Sequence, residues 1–261
     1  VTEMDAMATL HAPSTGASHK VLRVLEAALL HPRFTDIVDE SGLPKSTVHR
    51  ILSSLVEEGY VSGDAENGYR AGRRFMSLAG LVLGAADITT AARDVVDRLV
   101  RDVDCTIHVG ALSGDEMVYV IREDSSKPYR MKSRVGLSIP LHSSGMGKAV
   151  LGEWSEADLR GYAERTGLPA RTDATITTVD GLLAAAAEVR ERGYALDLSE
   201  NEVGTVCVSA AIHDYTGRAT HGISISSIAL EHPGDTIAAF APQAMAAAAE
   251  ISALLGAQPR G

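Results

Sequence analysis

The segment "PLHSSGMGKAVL", residues 140–151, gathers reactive side chains: His142, Ser143, Ser144 and Lys148 stand close together, interleaved with Gly145 and Gly147. Three chemistries use such sets. A phosphate-binding loop needs GxxxxGK[ST], but position 142 is His and position 149 is Ala, so that motif is absent. A nucleophile elbow needs GxSxG, and neither Ser143 nor Ser144 has the leading glycine. His142 and Ser143, with Asp197 as a third member, could form a hydrolase or transferase site, although adjacent residues rarely point at each other. That enzyme reading is the alternative. What remains is a Ser-Ser-Gly turn opening a helix, whose free N–H groups and dipole near Gly145 and Met146 favour a small anion such as a carboxylate.

Other polar residues stand at strand spacing. In "GISIS", Ser224 and Ser226 are two apart and share one face of a strand; Cys207 and Ser209 do the same in "VCVSAAIHD", and Asp197 ends "GYALD". Two readings fit these residues. They line a pocket that needs hydrogen bonds, or they are small polar groups on a solvated strand with the cysteine packed as a small hydrophobe.

A different chemistry is written in "SGLPKSTVHRILSSLV", residues 41–56, which carries Lys45, His49 and Arg50 and no acid in a chain of net charge -10. Val48, Ile51, Leu52, Leu55 and Val56 repeat as a buried helical stripe, leaving Ser46, His49, Arg50 and Ser53 on the opposite face. Upstream, "HKVLRVLEAALLH" reads as a helix with Val21, Leu22, Leu25, Ala28 and Leu29 on its apolar side, ended by Pro32. "TDIVDESG" reads as a short second helix, with Thr35 as N-cap and Gly42 just past its end; Pro44 sits in the first turn of the third. Downstream, Tyr60–Ser62 and Tyr69–Ala71 flank a loop containing Asn67-Gly68, a hairpin signal. Two helices, a tight turn and a following hairpin make a winged helix-turn-helix. Lys45, Ser46, Thr47, His49, Arg50 and the hairpin's Arg70 are the candidate DNA contacts, with Arg73 and Arg74 extending the basic cluster.

Charge is partitioned along the chain. Residues 1–75 hold 8 Lys+Arg against 10 Asp+Glu, a balance of -2, and the remainder carries -8. That larger part begins with a linker helix containing Phe75, Leu78, Leu81 and Val82, and a helix from Thr89 to Val103. The strands "CTIHVGAL" and "EMVYVIRE" follow as a hairpin, then "YRMKSRV" as a third strand, two helices near Glu156–Arg165 and Val179–Arg192, three more strands, and an Ala-rich helix after Pro233. This order predicts an α+β sheet domain covered by helices. Hydrophobic residues at 45% and charged residues at 22% fit a chain with a real core, which excludes a disordered class. No continuous apolar run long enough to span a bilayer is evident, and the acidic first residues read as a mobile tail rather than an export signal. Cys105 and Cys207 form no CxxC pair, so a reducing, cytoplasmic setting is expected, with no metal and no cofactor.

"GLPKSTVHRILSSLVEEGYV" closely resembles the DNA-binding segment of the IclR family of bacterial transcriptional regulators. "PLHSSGMGKA", "RGYALDLSENEVGTVCVSAAI" and "GISIS" are similar, in order and spacing, to the signatures of that family's effector domains. The resemblance implies an N-terminal winged helix-turn-helix domain and a C-terminal GAF-like domain that binds a small organic, often carboxylic, effector. Carried over residue by residue, the pocket is expected at Gly145, Met146, Asp197, Cys207, Ser224 and Ser226, with Met131 and Ile139 as apolar walls. Met146 departs from the pattern where a smaller residue is frequent, and Ser227-Ile228 stands where Gly-Pro is common. The expected division is a tail at 1–17, a DNA-binding domain at 18–72, a linker helix at 73–88 and an effector domain at 89–256. The expected partners are a pseudo-palindromic double-stranded operator, a small-molecule effector and further copies of the chain as a dimer or tetramer, with no membrane.

Overall fold

The computed structural model describes residues 16–78 and 88–258. The chain divides into two compact units at residues 85/86. The expected tail lies almost wholly outside the described residues, as does most of the linker with Leu81 and Val82; residues 73–78 are helical.

The smaller unit is three helices and a hairpin: α1 (Ala17–Leu30), α2 (Phe34–Ser41), α3 (Lys45–Glu57), β1 (Val61–Asp64) and β2 (Gly68–Ala71). Val24, Ala27, Ala28, Ile37, Val48, Ile51, Leu52, Leu55, Val61 and Tyr69 form its core. The buried side of α1 is therefore Val24/Ala27/Ala28, one position off the expected stripe, and Val21, Leu22 and Leu30 stay exposed. Val56 is likewise exposed, because Leu55 already fills the inward position at that turn. Thr35 lies inside α2 rather than capping it, its hydroxyl donating to Asp36 (3.1 Å). Gly42 ends α2 at φ +60, a left-handed conformation that costs glycine little, and Pro44 serves as the N-cap of α3. The hairpin pairs Val61 with Ala71 through Asp64 with Gly68. Asp64 Oδ1 accepts the N–H groups of Glu66 (2.9 Å) and Asn67 (2.8 Å), which fixes the turn.

The larger unit is built on a six-stranded antiparallel sheet. Helices α4 (Ile88–Ala91) and α5 (Arg93–Val103) replace the single helix expected from Thr89, with a turn at Ala92 between them. Then come β3 (Thr106–Ser113), β4 (Glu116–Glu123), β5 (Ser138–Pro140), α6 (Gly145–Leu151), α7 (Glu156–Thr166), α8 (Val179–Arg192), β6 (Ala195–Leu198), β7 (Thr205–His213), β8 (Ala219–Ile228), a 3₁₀ turn (Thr236–Phe240) and α9 (Ala241–Leu254). The strand order β5-β4-β3-β8-β7-β6 sets two three-stranded meanders side by side, joined where β3 meets β8. Residues of odd and even parity fall on opposite faces. One face presents Ile107, Val109, Val206, Val208, Ile223 and Ile225 to a core shared with α5 and α9. On the other, α6 sits down over Gly110 and Gly222; an added Cβ would meet Met117 at 2.5 Å at the first and Met146 at 3.0 Å at the second.

Two expectations are corrected here. Residues 129–135 form no strand; the added edge strand is β5, with Ile139 opposite Met117. Alternating Tyr/Met/Ser and Arg/Lys imitates a strand, but side chains tether this segment instead of a ladder. The Arg122 guanidinium donates to Ser133 O, and Tyr129 OH reaches Ser227 (3.2 Å) and Glu231 (2.9 Å). The stretch Thr236–Leu254 is long and apolar enough, by length and composition, to cross a bilayer, although Pro242, Gln243 and Glu250 interrupt its apolar run. In the fold Ile237, Ala241, Ala244, Ala248 and Ile251 are buried against the sheet, and Glu250 pairs with Arg98 (2.7 Å), as in a core helix.

Candidate functional site

The register of the sheet lines up polar residues on the face beneath α6. One row runs Thr106–Ser226–Cys207–Asp197 across β3, β8, β7 and β6, and the next runs His108–Ser224–Ser209. All are buried. Ser224 and Ser226 share a hydrogen bond (2.9 Å), and Ser226 Oγ meets His108 Nδ1 (3.1 Å). His108 Nε2 reaches Ser133 of the tethered segment (2.7 Å), and its ring packs against Tyr119 with centroids 4.9 Å apart. Burial, helped by the nearby Arg122 charge, pushes His108 down to about 3, so its ring is neutral at physiological pH.

These residues surround a cavity of about 30 Å³, room for about two waters at ~10–15 Å³ each. The structure brings all eight expected positions to it: Met131, Ile139, Gly145, Met146, Asp197, Cys207, Ser224 and Ser226. It adds His108, Tyr119, Ser133, Ser144, Asn201, Glu202 and Thr205. His108 could have been found from "CTIHVG", where a histidine alternates with apolar residues on a strand; which strand lies beside it could not. Ser144, the N-cap of α6, accepts Gly147 N–H (3.2 Å) and donates to Pro140 O (2.8 Å). The first i→i−4 bond of α6 is Lys148 N–H to Ser144 O (2.9 Å), so the N–H groups of Gly145 and Met146 lie ahead of the helical ladder, at the cavity wall.

Asp197 is buried at the cavity's other side. Its Oδ1 accepts the N–H groups of Glu200 (2.7 Å) and Asn201 (3.4 Å), and Oδ2 takes no hydrogen bond among the described residues. Burial raises its carboxyl to about 7, against the pull of Lys148. Lys148 itself is buried and ion-paired with Glu200. Burial also holds the Cys207 thiol up at about 12, so it is a packed thiol and not a thiolate.

His142 and Ser143 are not assembled as a catalytic pair. His142 spends Nδ1 on Tyr162 OH (3.0 Å) and Nε2 on Pro169 O (3.1 Å), while Ser143 donates to Asn201 (3.3 Å). Asp197 is committed to backbone N–H groups and touches neither.

In the smaller unit Lys45, Ser46, His49 and Arg50 are exposed on α3, Thr47 is half-buried, and Arg70 is exposed on β2. Among the described residues Lys45, Arg50 and Arg70 take no ion-pair partner. His49 packs edge-on to Phe34, ring centroids 6.3 Å apart. Arg74 differs: it pairs with Glu58 (2.8 Å) and lies over Tyr60 (5.0 Å), bracing the hairpin rather than extending the free basic cluster. The hairpin tip carries Asp64 and Glu66.

Residues 19–65 match the IclR helix-turn-helix domain and residues 80–253 the C-terminal domain of bacterial IclR transcriptional regulators. The chain belongs to the IclR family. It is 33% identical over 225 residues to the HTH-type transcriptional regulator XynR of Escherichia coli K12, covering 86% of this chain and 89% of that protein. With the regulator BhcR of Paracoccus denitrificans it shares 31% identity, over 87% of this chain and 81% of the other. Among solved structures, Thermotoga maritima IclR matches with a TM-score of 0.63 and 28% identity, over 91% of this chain and 97% of that one. Agobacterium tumefaciens repressor BlcR matches with a TM-score of 0.69 and 25% identity, over 95% and 100%. A winged helix-turn-helix followed by an IclR-type α+β domain is thus the fold, and DNA-binding transcriptional regulation is the activity of the family. Its relatives are regulators, not enzymes.

Proposed function

We propose that this IclR-family regulator binds a pseudo-palindromic operator through α3 and β2, and that a small carboxylic acid in the cavity beneath α6 modulates that binding. One observation carries the ligand reading. A partly enclosed cavity is ringed by polar groups from five strands and one helix, and among the described residues Asp197 Oδ2 and the N–H groups of Gly145 and Met146 take no hydrogen bond. Buried polar groups are costly unless hydrogen-bonded, so this site is built for an occupant. The ligand carboxylate rests on the N–H groups of Gly145 and Met146, with Ser224 and Ser226 as hydroxyl donors, and Met131 and Ile139 wall it in. The small volume favours a compact hydroxylated, oxo or amino acid over a fatty acid. On the DNA side, Ser46, Thr47, His49 and Arg50 meet base edges in the major groove while Lys45 and Arg70 meet phosphate. The acid-free face of α3 permits that approach, and the -8 balance of the rest keeps the larger part off DNA. The division at 18–72, 73–88 and 89–256, a cytoplasmic setting, and assembly as a dimer or tetramer belong to the same reading. Exposed Leu22, Leu30, Met76 and Leu78 supply apolar surface for the pairing of DNA-binding units.

A ligand changes DNA affinity only if it binds the two states of the protein unequally. The test is a gel shift on the chain's own upstream DNA, alone and with a panel of two- to four-carbon acids, beside a thermal-shift screen of the same panel. The expected result is a specific shift, altered by an acid that also raises the melting temperature. A specific shift that no stabilising acid alters would overturn the effector reading and leave the DNA reading intact.

A further inference from the structure

The cavity's charges do not balance a carboxylate. Among the described residues no lysine or arginine lines it, whereas Asp197 and Glu202 both do. Glu202 has its own cation, Lys132 (2.8 Å), and Glu200, just outside, has Lys148. Asp197 has none of its own. Ionised, it is opposed only by Lys148, whose own partner is Glu200, and an entering carboxylate would add a second negative charge to the cavity. Like charges this close do not both persist in a buried site. The neighbours on every packed element offer no relief. On β3, His108 is held neutral by burial, and on β7 the Cys207 thiol stays protonated for the same reason. On β4, Tyr119 is pushed up by burial and carries no charge, and Arg122 is already paired with Asp124 (2.8 Å). On α6, Lys148 is already spent on Glu200, and in the loop after β6 Glu200 and Glu202 are themselves acids.

We propose that the effector's carboxylate enters together with one proton, which Asp197 takes up, so that its free oxygen becomes an O–H donor to the ligand. This inference rests on the cavity being the effector site. It makes Asp197 the residue that determines which ligands need the proton. A ligand whose own hydroxyl or ammonium reaches Oδ2 can dispense with it, and one with only a carboxylate or oxo group cannot. Asp197 already sits where the exchange is easy, its carboxyl raised to about 7 by burial. Below that pH the proton is present before binding and affinity is flat; above it, affinity falls about tenfold per pH unit as the proton must be taken from solvent.

The experiment is calorimetric titration of the full chain with pyruvate and with glycine between about pH 6 and about pH 9, in two buffers of different ionisation enthalpy. Pyruvate should bind with proton uptake rising from near zero to about one per ligand across that range. Glycine, which carries an ammonium, should show little uptake. Asp197→Asn, whose amide oxygen can still accept from Glu200 and Asn201, should abolish the uptake and flatten the pH profile, with an unchanged melt showing that it folds. Glu200→Gln is the second variant: it frees Lys148 to oppose the ligand and should make the profile shallower. Pyruvate binding with no proton uptake and no pH dependence would overturn the inference while sparing the pocket. Undiminished affinity in Ser224→Ala would place the ligand elsewhere and overturn both, as would failure of both probes to bind at any pH.

Discussion

The two units treat polar side chains in opposite ways. In the smaller one, among the described residues, Ser41 is the only buried polar side chain, and Lys45, Ser46, His49 and Arg50 stand outside the core in water. In the larger one His108, Lys148, Asp197, Ser209, Ser224 and Ser226 are buried. Under the proposed function, the contrast follows the size of what each unit recognises. A DNA duplex is large and heavily charged, so exposed cations can meet it without being desolvated beforehand. A ligand of a few atoms offers few contacts, and its selectivity requires groups that are already desolvated and oriented when it arrives. The cost of that preparation falls on the fold of the larger unit and leaves the smaller one free of it.

The largest expected effect tests where that cost lies. Lys148→Ala leaves the Glu200 carboxylate buried without its cation and should destabilise the larger unit by about 3–5 kcal/mol, read by chemical denaturation. Arg50→Ala, on the exposed face, should leave stability within about 0.5 kcal/mol of wild type. It should instead weaken operator binding by about 1–3 kcal/mol in fluorescence anisotropy, the value of one good base contact. Equal destabilisation by the two changes would break the comparison. Ser224→Ala comes next, at about 0.5–1.5 kcal/mol of ligand affinity, because Ser226 remains beside it to donate. Calorimetry with the best acid from the panel checks this, and DNA affinity without ligand should not move. The smallest effect is that of Lys45→Ala. As a phosphate contact it should lower the slope of log affinity against log salt by about 0.9 and weaken all sequences alike.

Much of the smaller unit was legible because its contacts are local. The stripe Val48/Ile51/Leu52/Leu55 and the left-handed Gly42 are fixed by residues a few positions away. Where the reading slipped, at Val56 and on α1, a periodicity of 3.6 left two neighbouring stripes nearly equivalent, and only packing against α2 and α3 chose between them. In the larger unit, period-two spacing showed that Ser224 shares a face with Ser226 and Cys207 with Ser209. It could not show that His108 stands opposite Ser224, because that pairing joins residues from the two ends of the domain. Residues 129–135 misled for a related reason: alternation predicts a strand only if an edge is free to receive it, and β5 holds that edge. The pairing of Lys148 with Glu200 carried no signal in one dimension.

The glycines within α6 bear on how the proposed effector site could be retuned for another ligand. A Cβ on Gly145 would sit 2.5 Å from Ser209 Oγ, and one on Gly147 would sit 2.3 Å from Leu141 Cα. Helix α6 therefore accepts no added bulk at either position. Met131, by contrast, belongs to a segment tethered largely by side chains, beside the apolar walls Met146 and Ile139. A library meant to admit larger acids has its productive positions in that roof, while diversity spent on the glycine floor would return mostly misfolded chains.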